Sequence, residues 1–176
     1  FIPAVSMGLI SREKGIGTIE IISTLPINER DIVLGKYLAG FSLILLGLAT
    51  TLFFYLNLIY VGSNIDHGAV FTGYIGLALL GGVYTSIGLF SSSLTENQVI
   101  AFIIGIAIVL VFFMMDKLLF FFPPSVTGVI QYLSTDFHLS NMSRGVLDTR
   151  NIIYFCSIIG FFLTVTTRVL ESRKWS

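Results

Sequence analysis

The feature that most constrains this chain is a run of 25 residues without a charge, Tyr37 to Val61. An apolar run of that length crosses a bilayer with some tilt. Three similar runs come after it. Ala69–Phe90 and Val99–Met115 are uncharged, and Ile152–Val169 carries only Arg168, near its end. Short polar turns, GSNIDHG at Gly62–Gly68 and SSSLTENQ at Ser91–Gln98, separate the first three. Unpaired backbone groups are costly in hydrocarbon, so such runs span as helices. The expected fold is an all-α polytopic membrane protein with complete spans at 37–61, 69–90, 99–115 and 152–169. Composition agrees: 11% of residues are charged and mean hydropathy is +0.91, against about 25% charged in soluble domains.

The longest polar interruption near the start is Met7–Gly35, MGLISREKGIGTIEIISTLPINERDIVLG. Arg12, Lys14, Arg30 and the adjoining Lys36 alternate there with Glu13, Glu20, Glu29 and Asp31. Ile16, Ile19, Ile21, Ile22, Leu25 and Ile27 give it an apolar side. Gly15 and Gly17 break the backbone before Thr18, and Pro26 cannot continue a helix. A short amphipathic helix is therefore expected over Thr18–Leu25. Asn28, with Asp31 three residues on, resembles a capping box for a helix running into the first span. Before this stretch, Phe1–Ile10 reads as the tail of an apolar helix, with one or more spans expected upstream.

The chain is expected to be one transmembrane domain over 1–176. Residues 1–10 end a truncated span, 11–36 form a polar segment, 116–151 an outer segment of short helices and 170–176 a polar tail. Within the outer segment, Pro123 and Pro124 stop an apolar run and Val126–Leu133 suits a short helix. Four spans put the polar segment and the tail on one side. Arg12, Lys14, Arg30, Lys36, Arg168, Arg173 and Lys174 lie there, against Lys117, Arg144 and Arg150 on the other. The positive-inside rule assigns the richer side to the cytosol.

Two patterns predict close helix packing. Ala78, Gly82 and Ser86 repeat small residues every four positions, and Ala101 and Gly105 do the same on the next span. Ser93 with Glu96, or Thr95 with Gln98, suits a cap for the span at 99–115, and Asp148 suits a cap for the last one.

Most chemistry is excluded. There is no G-x-x-x-x-G-K-[ST] phosphate loop, no H-E-x-x-H and no Cys/His cluster, so no catalytic or metal residue is assigned. The lone Cys156 sits in an apolar run. Asp66–His67 and Asp136–His138 are one and two residues apart, which points their side chains to different faces, and surface solvation or capping is expected of them. A membrane-embedded hydrolase or transferase using Asp136, His138 or Asp116 lacks a nucleophile–base spacing. Net charge is zero, which gives no support to a nucleic-acid partner.

Three stretches resemble the membrane permeases of ABC-2 type exporters: EKGIGTIEIISTLPINERDIVLGKYLAG at Glu13–Gly40, SLTENQVIAF at Ser93–Phe102 and FHLSNMSRGVLDTRNIIYF at Phe137–Phe155. Within that family the chain looks most like the gliding-motility-associated permease subunit. The resemblance implies a six-span exporter domain, here lacking its first span and most of its second, in the bacterial inner membrane. It makes 11–36 a cytosolic coupling segment, with Glu13, Gly17, Thr18, Glu20, Leu25 and Pro26 facing an ATPase, and puts the C-terminus in the cytosol. It also implies as partners a cytosolic ABC ATPase subunit and a second permease subunit, identical or not. ATP and magnesium would bind the ATPase, with no cofactor in this chain. A non-transporting scaffold anchoring a surface or motility complex is the alternative.

Overall fold

The structure, a computed structural model, describes residues 1–18, 28–62, 65–118 and 124–173. Eight helices occur among them: α1 (Ile2–Ser6), α2 (Gly8–Gly15), α3 (Glu29–Tyr60), α4 (His67–Leu94), α5 (Gln98–Met114), α6 (Pro124–Leu133), α7 (Thr135–Ser143) and α8 (Thr149–Arg173). Three of them, α3, α4 and α8, are long and apolar enough to cross a membrane. The fourth expected span, α5, is an apolar helix of 17 residues, at the short limit for crossing. The first span starts earlier than its uncharged run: α3 is continuous over 32 residues from Glu29.

The bundle is built around α4. In its most apolar stretch 44% of residues are buried, against 6% in α3. The reason is the small residues along it. A Cβ on Gly88 would lie 1.7 Å from Ser6 Oγ, so α1 crosses there in near backbone contact. A Cβ on Gly82 would meet the Tyr37 hydroxyl at 2.8 Å and Ile159 Cδ1 at 3.1 Å, so α3 and α8 converge on it. Val83, Ile87, Met142, Tyr154, Phe155 and Phe162 fill one core, while Ile10, Val33, Tyr37 and Leu89 fill another. By contrast Leu38, Leu46, Phe53, Phe54 and Leu56 of α3 are exposed. Such a surface suits lipid.

The bundle has two distinct ends. At one, α1–α2 pack against the end of α4, and the start of α3 meets the end of α8. At the other, Thr51 Oγ1 lies 2.9 Å from Tyr74 Oη, and Thr72 donates to the Met142 carbonyl at 2.7 Å. Arg12, Lys14, Arg30, Lys36 and Arg168 therefore share the first end, and Lys117, Arg144 and Arg150 lie towards the second.

Several local expectations are corrected. The turn after α4 is shorter than SSSLTENQ: the helix runs to Leu94, and Ser91, Ser92 and Ser93 are buried within it. Consequently neither Ser93 nor Thr95 caps α5. Asn97 does, accepting from Val99 N at 2.9 Å. Asn28 occupies the cap position of α3, but its amide reaches the Asp31 carboxylate at 3.4 Å and no backbone N–H. Asp66 caps α4 through Gly68 N and Ala69 N, and Asp148 accepts from Arg150 N at the start of α8.

His138 is the largest correction. It is fully buried, not surface-solvated. Its ring lies 2.7 Å from Asn151 Oδ1 and 2.9 Å from the Tyr132 carbonyl, and stacks on Tyr154. It thereby joins α6, α7 and α8. Nearby, Lys117 Nζ pairs with Asp136 at 2.8 Å. That hydrogen bond, with the Asp136 charge, holds the ammonium above its ordinary range. On the alkaline side the contact is therefore kept up to about pH 10 and lost only as pH rises through the raised value.

Candidate functional site at the junction of α2, α3 and α4

The family-like motif Glu13-x-x-x-Gly17-Thr18 is a helix terminus with a physical reason for each residue. α2 ends at Gly15, and Ile16 N still donates to the Arg12 carbonyl at 3.2 Å. Gly17 has φ of 74°, a left-handed conformation that favours glycine, and its N–H returns to the Lys14 carbonyl at 3.2 Å. The Thr18 hydroxyl donates to the Glu13 carbonyl at 3.3 Å. Two carbonyls that a helix end leaves unmade are thus satisfied, and the chain leaves α2 in one defined direction. Residues 19–27 come next, so Glu20, Leu25, Pro26 and the expected helix over 18–25 lie outside the described residues, Thr18 excepted.

α2 is fixed to the bundle through three side chains, Lys36, Lys14 and Ser92. The Glu13 carboxylate pairs with Lys36 Nζ at 2.5 Å, and the same ammonium donates to the Leu9 carbonyl at 2.7 Å. Lys36 lies in the second turn of α3, so one side chain joins α2 to the first long helix. Lys14, itself buried, donates to the Ser93 carbonyl at the end of α4. Ser92 reaches further in. Its hydroxyl accepts from Ile10 N at 3.0 Å and Ser11 N at 2.9 Å, and donates to the Met7 carbonyl at 2.7 Å. A hydroxyl inserted into the helical ladder interrupts it. That accounts for the break between α1 and α2 at Met7, where the backbone stays helical, φ −55° and ψ −34°. The helix thus continues through 11–15, which places Ser11 and Lys14 in the packed bundle ahead of the polar segment proper.

Gly82 and Ser86 are buried on α4, and Ala78 is half-buried. On α5, Ala101 is buried, and a Cβ on Gly105 would meet Ser91 Oγ at 2.9 Å. Sequence reasoning missed the roles of Lys36, Ser92 and Ser93. The signal for Lys36 was its place in the Gly35-Lys36 pair of the family-like stretch. For the serines it was the helical period, which they carry on beyond Phe90.

The hydrolase-like residues do not assemble. Asp136 and Asp116 both face Lys117, at 2.8 and 3.8 Å, whereas His138 points inward to Asn151. Among the described residues no three His, Cys, Asp or Glu side chains are grouped to hold a metal. Helices of membrane-crossing length, packed on a small-residue centre with a capped polar segment at one end, describe a multi-pass membrane protein. No curated protein matches the chain. Residues 1–172 match the family model described as ABC-2 family transporter protein, and the chain belongs to that family.

Proposed function

We propose that this chain is the permease subunit of an ABC exporter and forms a membrane pathway driven by ATP hydrolysis in a separate ATPase subunit. The observation that supports the reading best is the junction around Glu13. A segment meant to receive force from a partner needs stiff connections to the spans. Here the residues just before it are tied to α3 through Lys36 and to α4 through Ser92 and Ser93. A push on residues 19–27 would be passed to two long helices at once.

On this reading the coupling segment and C-terminus are cytosolic, in a bacterial inner membrane. Glu13, Gly17 and Thr18 set the direction of the segment, and Glu20, Leu25 and Pro26 belong to its contact with the ATPase. ATP and magnesium bind that ATPase, and a second permease subunit completes the pathway. The gliding-motility likeness names a cellular setting for the same assembly.

The test is co-expression with a candidate ABC ATPase that carries the phosphate loop this chain lacks. Glu20→Arg should insert normally yet copurify poorly or fail to stimulate hydrolysis, since a wrong-signed charge at an interface can cost several kcal/mol. Normal copurification and coupled hydrolysis would instead favour a lipid-resting segment, where added positive charge is tolerated, and with it the scaffold alternative.

A further inference from the structure

We infer that the cleft between the start of α3 and the end of α8 binds the phosphate headgroup of an anionic phospholipid. The cleft has a volume of about 350 Å³. Arg30 lines it from the α3 wall with Val33, and Arg168 from the α8 wall with Leu163, Thr164 and Thr167. Arg30 has no ion-pair partner among the described residues. Arg168 pairs with Glu171 at 3.1 Å, and Glu171 also lines the cleft. The lining therefore carries two positive charges and one negative, a net attraction for a phosphate oxyanion. Guanidinium forks suit phosphate oxygens geometrically as well as by charge.

The surroundings distinguish a lipid from a free anion. The cleft lies at the end of helices of membrane-crossing length. Leu34, on its edge, is 47% exposed, and Leu38, one turn further along α3, is 60% exposed. On the facing helix Phe161, one turn before Thr164, is 63% exposed. A phosphate seated between the arginines would thus have its acyl chains beside apolar side chains on both walls. Basic pockets between membrane helices bind anionic headgroups in this way. The inference needs only the membrane embedding and does not depend on transport.

The experiment is native mass spectrometry of the purified protein with phosphatidylglycerol or phosphatidylcholine of identical acyl chains. Phosphatidylglycerol should be retained about tenfold more strongly, and Arg30→Gln/Arg168→Gln should bring the two lipids near parity. Glu171→Gln, which removes the one acid, should strengthen phosphatidylglycerol retention and provides the test should the double variant fail to fold. Inorganic phosphate at millimolar concentration should leave the bound lipid in place. Equal retention of both lipids by the native protein would overturn the inference, as would a preference unchanged in both the double variant and Glu171→Gln. Displacement by inorganic phosphate alone would reassign the cleft to a free anion and overturn the lipid occupant.

Discussion

Lys36 Nζ sits 2.5 Å from Glu13 Oε1, across 23 residues of chain that include the whole segment 19–27. The pair joins α2, which precedes that segment, to the second turn of α3, which follows it. Both side chains are largely shielded, at 17% and 29% exposure, so water screens the contact less than on an open surface. The second Glu13 oxygen is buried without a hydrogen bond in the described structure, so the carboxylate depends on Lys36.

Lys36→Met should therefore destabilise the protein by about 1–3 kcal/mol, because it leaves a shielded carboxylate unpaired. Glu13→Gln should cost less, since a neutral amide can still accept from the ammonium. In a double-mutant cycle the two should be non-additive. Thermal unfolding in detergent measures the stability, and on the proposed function stimulation of a partner ATPase measures the coupling. Additive effects would show that the pair does not act as a unit.

Ser92→Ala should cost about 1–2 kcal/mol, since two amides and a carbonyl lose a buried partner. The local signature is more specific than the global one. Hydrogen exchange at Ile10 and Ser11 should quicken by roughly tenfold, in line with the lost local stability. Unchanged exchange there would mean that the helix closes its own ladder once the hydroxyl is gone.

Gly88→Ala should destabilise the bundle by about 1–3 kcal/mol through overpacking against Ser6. Ser6→Gly in the same chain should restore much of the loss, because it vacates the space the new methyl needs. Gly82→Leu has no such single remedy, as Tyr37, Phe41 and Ile159 all crowd the site. It should loosen α3 and α8 together, seen as a lower melting temperature and easier dissociation in detergent.

Gly17→Ala should cost about 1 kcal/mol, the penalty of placing a Cβ in the left-handed region. Space is not the cause, as nothing lies within 4 Å of the added carbon. If the proposed function holds, stimulation of a partner ATPase should fall more steeply than this small loss of stability accounts for. Equal melting temperatures for Gly17→Ala and the native chain would remove the strain argument.

Topology is checked with single cysteines after Cys156→Ser. Ser11 is a poor probe because it is buried, whereas Ile16 is 67% and Val146 59% exposed. Ile16→Cys should be labelled from the cytosolic side only and Val146→Cys from the outer side only. Labelling of both from one side would contradict the placement of α2 and the α7–α8 turn at opposite ends.

The sequence by itself determined the class of fold. Charge-free runs of membrane length leave little choice but helices, since hydrocarbon offers backbone groups no other partner. It also determined the two-sided sorting of Lys and Arg, and the glycine stop at Gly17, where a left-handed residue ends a helix. These are local properties, or depend on spacing along one chain. The tertiary structure alone decided which helix is central. Ala78, Gly82 and Ala101, Gly105 read alike in sequence, yet α4 became the hub because its small residues face α1, α3 and α8 at different heights. It alone also decided the roles of Ser92 and His138. A serine reads as turn material and a histidine as surface until another helix brings backbone groups within hydrogen-bond reach. Met7 meets Ser92 across 85 residues, and His138 meets Asn151 from a neighbouring helix. Such partnerships depend on packing, and no periodicity within a single helix encodes them.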